Sequence, residues 1–158
     1  PRGAGGQTGA STPAAPVAAA EAAELEVHPD IWSMSEAELA QVEELCVSRE
    51  GVGSVTFHGC TDCRAFCHRR QLAELVVLSP GEVVVYPDQG VKPPVGMGLN
   101  KPASIVLCGC LPKVQGFRDD KARERYKKRV WQMTEDKGAE FIDYDCDQGI
   151  WQFRVAHF

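Results

Sequence analysis

The chain has 158 residues, of which 44% are hydrophobic and 25% are charged, and its formal net charge is −5 at pH 7. This length is sufficient for one compact domain, and the acidic balance argues against nucleic acid as the main partner. No apolar run approaches the length of a membrane-spanning helix, so no membrane partner is expected. The seven cysteines are an odd number that cannot all pair within the chain, which favours a reducing compartment.

The first 26 residues form a low-complexity segment of Gly, Ala, Pro, Ser and Thr with almost no bulky apolar side chains. Such a composition cannot bury enough surface to offset the entropy lost on ordering. We therefore predict a disordered linker over residues 1–26 and one folded domain over residues 27–158.

The first predicted element of the domain is an amphipathic helix over residues 36–46. Ser35 and Glu38 have the spacing of a capping box at its start. Apolar side chains then recur at helical spacing, at Leu39, Val42, Leu45 and Cys46. The glycines within residues 50–59 end this pattern and predict the start of a strand.

A hairpin, a loop and a further strand are predicted in the middle of the chain. Residues 72–78 and 82–86 are rich in Val and Leu and are separated by Ser-Pro-Gly, which is typical of a β-hairpin. Residues 92–102, KPPVGMGLNKP, contain too many prolines and glycines for a helix or a central strand and predict a structured loop. Residues 103–110 predict another strand.

The last third of the chain is predicted to hold one helix and two strands. Residues 119–137 form the helix, and Gly138 supplies its stop signal. Its apolar face is predicted to consist of Ala122, Tyr126, Val130 and Met133. Residues 141–145 and 150–158 predict strands joined by a turn. Strands that follow one another directly favour an α+β fold: a mainly antiparallel β-sheet core of about six strands, sandwich-like, flanked by two helices.

The terminal stretch WQFRVAHF alternates between apolar and polar residues. Trp151, Phe153 and Val155 share one predicted face, which is the buried one. By the same parity His157 belongs to the buried face and Phe158 to the polar face. The alternative is that the alternation ends before the chain does, which leaves His157 partly solvated at an edge. Periodicity alone does not identify a site here.

A zinc site is one interpretation of the cysteines. Cys60 and Cys63 form a CxxC pair in a polar stretch and are followed by Cys67 and His68. The later CxC pair, Cys108 and Cys110, could complete a set of four ligands. The ligands of such a site would be Cys60, Cys63, Cys108 and Cys110. This spacing is only moderately specific, and free thiols are the simpler interpretation, so no metal and no cofactor are predicted.

Residues 118–129 hold seven of the 17 lysines and arginines of the chain. A basic helix that carries a tyrosine, Tyr126, is one pattern of nucleic-acid-binding proteins. Acidic residues are interleaved with the basic ones, however, at Asp119, Asp120 and Glu124. A solvated helix face is therefore the favoured interpretation, with weak RNA contact as the alternative.

Five stretches together resemble the nucleoporin autopeptidase family, the self-cleaving C-terminal domain of the GLFG-repeat nucleoporins. They are GSVTF (53–57), EVVVY (82–86), KPPVGMGLN (92–100), KGAEF (137–141) and the final WQFRVAHF. The resemblance runs from about Ser33 to Phe158 in the order of the family. Its most specific parts are KPPVGxGLN and the terminal His-Phe pair.

The resemblance implies that a precursor is cut after His157-Phe158 and that a serine follows in the precursor. This chain is then expected to be the upstream product, without the nucleophile of its own single-turnover, serine-type reaction. The hydroxyl of the following residue would attack the Phe158 carbonyl, His157 would take its proton, and water would hydrolyse the ester. Gly96, Gly98 and Asn100 are candidates for a supporting loop, and no oxyanion donor is assigned.

The resemblance also implies a lasting role at the nuclear pore complex of the nuclear envelope. There the domain would anchor upstream FG repeats for protein and mRNA transport. The implied partners are scaffold nucleoporins, including the released downstream fragment of the same precursor. The second hypothesis, from a different functional class, is an interaction module that never cleaves, with stabilisation by zinc as an option.

Overall fold

The computed structural model describes residues 24–66, 68–112 and 116–158. Within them, the strands are β1 Leu25–His28, β2 Val42–Arg49, β3 Gly53–Thr61, β4 Val76–Ser79, β5 Glu82–Val85, β6 Ala103–Leu107, β7 Glu140–Asp145 and β8 Ile150–Val155. The α-helices are α1 Glu36–Leu39, α2 Arg69–Leu75 and α3 Asp120–Asp136, and short 3-10 helices cover Ile31–Ser33 and Gln89–Val91.

Six of the strands form one antiparallel sheet in the order β1-β2-β3-β6-β8-β7. Alternate side chains of its central strands point to one face and are almost fully buried there, as expected from the two-residue period of a strand. Examples are Val47, Val55, Phe57, Ile105 and Phe153. The C-terminal strand β8 lies inside the sheet, between β6 and β7.

The hairpin β4–β5 covers the buried face of the large sheet. Val76, Leu78 and Val85 of the hairpin belong to the same hydrophobic core as the sheet residues. A hydrogen bond from the Arg49 guanidinium to the Leu78 carbonyl, 3.0 Å long, ties the hairpin to β2. The fold is α+β with a mainly antiparallel sheet, as the sequence predicts.

The predicted helix over residues 36–46 is wrong beyond its first turn. The capping box forms, with Ser35 N–H donating to the Glu38 carboxylate at 2.7 Å, but α1 ends at Leu39 and β2 follows. A β-bulge at Glu44 separates buried Val42 from buried Leu45 by three positions. A bulge adds one residue to the alternation, so the spacing imitates a helix.

The strand predicted over residues 72–78 is helical in its first half. Arg69–Leu75 form α2 and only Val76–Ser79 form β4, so the described residues contain three α-helices rather than two. The antiparallel hairpin with β5 is confirmed, with Val76 opposite Val85. Residues 92–102 contain no strand or α-helix and confirm the predicted loop.

Helix α3 confirms the helix predicted over residues 119–137, and Asp119 caps it by accepting a bond from Ala122 N–H at 2.9 Å. Its buried face differs from the prediction at one position: Met133 is 40% exposed and Thr134 is fully buried. The Thr134 hydroxyl donates to the Val130 carbonyl at 2.7 Å and accepts from the Trp151 indole N–H at 3.0 Å. The Thr134 hydroxyl therefore joins α3 to β8, because it donates one hydrogen bond within the helix and accepts another from the strand.

Most of the linker predicted over residues 1–26 lies outside the described residues, and its last two residues, Leu25 and Glu26, belong to β1. The division into linker and domain remains a prediction. No helix in the described parts of the chain is long and apolar enough to cross a membrane.

Candidate functional site

Strand β8 leads the chain into the candidate site at its C-terminal end. The strand ends at Val155, three residues before Phe158. The Phe158 ring is partly buried against the core and lies 5.9 Å from the ring of Phe57 in β3, centroid to centroid. The Phe158 backbone N–H donates to the side-chain oxygen of Asn100 at 2.8 Å. The residue is thus held by its ring and by its backbone.

The parity prediction for the last two residues is reversed in the structure. His157 is exposed and Phe158 packs on the core, because the regular alternation ends with β8 at Val155. This agrees with the alternative in which His157 is solvated. Its Nδ1 lies 3.4 Å from the Phe158 carbonyl oxygen. The imidazole is therefore next to the carbonyl group that the predicted reaction would attack.

Asn100 is held rigidly in the glycine-rich loop. It is 1% exposed, and its side-chain NH2 donates to the Pro93 carbonyl at 2.9 Å. Its own backbone carbonyl accepts from Gly96 N–H at 2.6 Å. With the amide nitrogen occupied by Pro93, the amide oxygen is the atom that faces Phe158, which fixes the orientation of the side chain.

Tyr86, directly after β5, supports the same loop. The residue is buried, and its hydroxyl accepts a bond from Leu99 N–H at 2.9 Å. Burial raises the pKa of this hydroxyl. Gly98 passes so close that a β-carbon there would lie 2.7 Å from the Tyr86 hydroxyl. Glycine is therefore required at position 98 by a close approach as well as by its φ of +55°.

Lys101 is the next residue of the loop and is only 8% exposed. Its ammonium group donates to the Cys60 carbonyl at 2.7 Å and to the Thr61 hydroxyl at 3.2 Å. These two bonds tie the loop to the end of β3. Neither Lys101 nor Tyr86 is distinguished by composition or spacing in the sequence, and both were missed.

A cavity of about 300 Å³ begins at Phe158. Its walls are mainly apolar and come from β5, β6 and β8, with Val83, Ile105 and Trp151 among them. Glu82 and Lys137 contribute charged groups to its lining. Phe158 itself is part of the lining of this cavity.

The four cysteines of the zinc alternative do not form a ligand set. Within the described residues, no group of three or more His, Cys, Asp or Glu side chains could hold a metal ion. Cys63 is buried, and desolvation raises the pKa of its thiol to about 11, which disfavours the thiolate that zinc requires. Cys67 lies outside the described residues.

Residues 26–158 match the family described as Nucleoporin2: Nup98-96 autopeptidase S59. The chain belongs to this family, as its motifs predict. It is 42% identical over 122 residues to nuclear pore complex protein NUP98A of Arabidopsis thaliana. It is 32% identical over 133 residues to nuclear pore complex protein Nup98-Nup96 of Dictyostelium discoideum. The predicted localisation at the nuclear pore complex agrees with these relatives.

These alignments cover 75% and 82% of the chain but only 11% and 6% of the two relatives, so the chain spans a small part of their length. A crystal structure of Chaetomium thermophilum Nup145N APD, a mutant fused to Nup145C N, matches with a TM-score of 0.72 at 31% identity. That match covers 87% of this chain and 96% of the other. The yeast Nup82-Nup159-Nup116 complex contains the same fold, with a TM-score of 0.70 at 22% identity.

Proposed function

We propose that this domain cuts a longer precursor after Phe158 and thereafter anchors that protein in the nuclear pore complex. The observation that carries the proposal is the fixation of Phe158: Asn100 binds its N–H at 2.8 Å, and the imidazole of His157 lies 3.4 Å from its carbonyl oxygen. Membership of an autopeptidase family supports the same conclusion.

The proposed reaction transfers an acyl group within one chain. The hydroxyl of a serine after Phe158 adds to the Phe158 carbonyl carbon, and His157 accepts its proton. The C–N bond then breaks, the new amino group takes the proton, and the resulting ester is hydrolysed by water. Because attacking and attacked groups are held in one chain, orientation supplies on the order of 7–11 kcal/mol of the barrier.

Asn100 has a positioning role in this proposal. Its oxygen holds the N–H of Phe158 and its nitrogen is held by Pro93, so the amide fixes the backbone on which the carbonyl depends. Gly96 and Gly98 let the loop close around Asn100 and Tyr86. They act through loop geometry and make no contact of their own with the reacting atoms.

The test is the intact mass of the domain expressed with its natural downstream residues. We expect the parent to give a product that ends at Phe158 and the His157→Ala variant to stay whole. Asn100→Asp keeps an oxygen for Phe158 and should cut more than Asn100→Leu. A parent that stays whole while folded would refute cleavage and leave the non-cleaving interaction module as the function.

We assign the cavity beside Phe158 to the released downstream fragment. Its apolar walls and its position directly after the cut fit the first residues beyond Phe158. Scaffold nucleoporins are the other proposed partners, in line with the fold shared with the Nup82-Nup159-Nup116 complex. Binding of a synthetic downstream peptide, measured by calorimetry, should weaken in a Val83→Lys variant and persist in a variant changed on α3, such as Lys121→Ala.

Weak RNA contact is assigned to the side of α3 that lies next to Phe117. Arg118, Arg125 and Arg129 line a cavity of about 400 Å³ together with the aromatic rings of Phe117 and Tyr126. Cations next to aromatic rings on which bases can stack suit single-stranded RNA. Affinity for an oligonucleotide should fall steeply with salt and fall further in an Arg125→Gln, Arg129→Gln variant.

A further inference from the structure

A line of three polar side chains crosses the outer face of the large sheet, away from Phe158. His58 in β3 lies between Glu44 in β2 and Ser104 in β6. Its Nε2 is 2.6 Å from the Ser104 hydroxyl oxygen, and its Nδ1 is 3.1 Å from one oxygen of Glu44. The second oxygen of Glu44 accepts from Gly59 N–H at 2.8 Å. Each member of the line therefore has its neighbour within hydrogen-bonding distance.

Strand geometry brings these side chains to the same face. Phe57 points into the core, so its successor His58 points to the opposite face. In β6 the neighbours of Ser104, Ala103 and Ile105, are buried, so Ser104 shares the outer face. None of the three is adjacent to another in sequence, and only the sheet register unites them.

The backbone of Glu44 adopts a conformation that needs support. Its φ is +46°, in the left-handed region that a non-glycine residue rarely adopts. It lies at the β-bulge between β2 and β3. Bonds from Gly59 N–H and His58 hold its carboxylate and lower its pKa. Backbone strain of this kind is concentrated at functional sites, where neighbouring contacts stabilise it.

The order carboxylate, imidazole, hydroxyl assigns a role to each side chain. A proton on Nδ1 bonds to Glu44, which leaves Nε2 as the acceptor for the Ser104 hydroxyl proton. A serine hydroxyl becomes a good nucleophile only when such a base takes its proton. Glu44 is then the positioning residue that fixes the ring and its tautomer.

The site is open to substrate on its outer side. The His58 and Glu44 side chains are 34% and 55% exposed. Arg154 in β8 is directly opposite Ser104 in the strand pairing and so stands on the same face, where it brings positive charge. Its own partner, Glu140, is 3.6 Å away in an exposed pair that binds weakly.

We propose that Ser104 is an activated nucleophile that accepts the acyl group of small carboxylic esters, with His58 as general base and Glu44 as its positioning residue. Ser104 Oγ adds to the ester carbonyl carbon and its proton moves to His58. The ester C–O bond breaks, and the leaving alcohol takes that proton. Water then releases the acid from acyl-Ser104 and restores the hydroxyl. This activity is separate from cleavage after Phe158.

The test uses the 158-residue chain and a fluorophosphonate probe, followed by mass mapping of the labelled peptide. Ser104 Oγ forms a bond to phosphorus, the P–F bond breaks, fluoride leaves and His58 takes the proton. We expect the label on Ser104 and none on Ser54, the control serine of β3 on the same face. In the described part of the chain, Ser54 has no hydrogen bond to a histidine. The comparison of the two serines needs no variant.

Variants then separate chemistry from structure. His58→Gln should slow labelling about 100-fold, the lower end of the usual general-base contribution. Glu44→Gln should slow labelling of Ser104 as well, and Glu44→Asp should recover part of the rate. Urea unfolding should show that all three variants, His58→Gln, Glu44→Gln and Glu44→Asp, stay folded. An unlabelled Ser104, equal labelling of Ser54, or a folded His58→Gln variant that reacts at the parent rate would each overturn the proposal. Hydrolysis of p-nitrophenyl acetate that Ser104→Ala abolishes would support it.

Discussion

Asn100 joins two segments that are 58 positions apart and carries the most specific part of the candidate site. The sequence predicts its loop from the prolines and glycines of residues 92–102, because these residues exclude helix and central strand. The pairing of its side chain with Phe158 could not be predicted from spacing, since long-range contacts have no local periodicity. Family resemblance indicated both ends of this hydrogen bond but not the bond itself.

The close approach of Gly98 to Tyr86 gives a prediction at the same scale. Gly98→Ala places a β-carbon 2.7 Å from the Tyr86 hydroxyl, whereas Gly96→Ala meets no atom within 4 Å. Both glycines have positive φ, so each substitution should cost about 1–2 kcal/mol of unfolding free energy from backbone strain. Gly98→Ala should cost about 1–3 kcal/mol more from overpacking. Urea unfolding measures both.

Tyr86→Phe supplies the control for this prediction. Removal of the hydroxyl removes the shortest contact and leaves the one to Pro93 Cγ at 3.2 Å, so Gly98→Ala should cost less in the Tyr86→Phe background than in the parent. The single Tyr86→Phe change itself should cost about 1–3 kcal/mol, because the buried Leu99 N–H loses its acceptor. Equal costs of Gly98→Ala in the two backgrounds would show that the hydroxyl is not the group that excludes alanine.

The sequence predicts an element well where its hydrophobic pattern is regular. It predicts an element poorly where a β-bulge or a buried polar residue interrupts that pattern. Helix α3 and the hairpin β4–β5 follow from periodicity and turn residues. The strand β2 does not, because its bulge at Glu44 imitates helical spacing. In α3, Thr134 replaces the predicted Met133 on the buried face, since a buried hydroxyl with two hydrogen bonds competes with an apolar side chain.

The bulge should make stability depend on pH through Glu44. The bonds from Gly59 N–H and His58 lower the pKa of this carboxyl below its ordinary value of 4.5. A lowered folded-state pKa means that the contribution is complete above the unfolded-state pKa and is lost as pH falls through the folded-state value. The stability advantage of the parent over Glu44→Gln should therefore shrink as pH falls below about 4.5.

Urea unfolding at a series of pH values measures this advantage. Glu43→Gln, the exposed neighbour in β2, is the control for loss of a negative charge. An advantage over Glu44→Gln that stays constant from neutral pH down to acid unfolding would contradict the prediction.

The junction of α3 with β8 gives the second prediction for an element. Thr134→Val keeps the shape of the side chain but removes the hydroxyl. The Trp151 indole N–H then loses its acceptor, and the Val130 carbonyl loses the hydrogen bond from that hydroxyl. We expect a loss of about 1–3 kcal/mol of unfolding free energy. Thr134→Ser keeps the hydroxyl and should cost less. If the methyl group, rather than the hydroxyl, stabilises this junction, Thr134→Ser will instead cost more unfolding free energy than Thr134→Val.

At the scale of the whole molecule, the described residues share one hydrophobic core, which includes Leu25 from the end of the linker that the composition of residues 1–26 predicts. Deletion of residues 1–23 should therefore leave the unfolding free energy within about 0.5 kcal/mol of the parent, as for changes away from packed features. Urea unfolding of the two chains compares them directly. Deletion through Glu26 should cost more, because Leu25 is 8% exposed and pairs with Arg49 in β2.

The position of β8 within the sheet has a consequence for how such a protein folds after its synthesis. Among the described strands β8 comes last in sequence, yet its place is between β6 and β7 rather than at an edge. The backbone that leads to Phe158 therefore reaches its final geometry only after the sheet has closed around the last of its strands to leave the ribosome. A precursor that cuts itself here would release its downstream part only from a finished fold. Cleavage would then depend on completed folding, and misfolded copies would stay covalently joined to their downstream part.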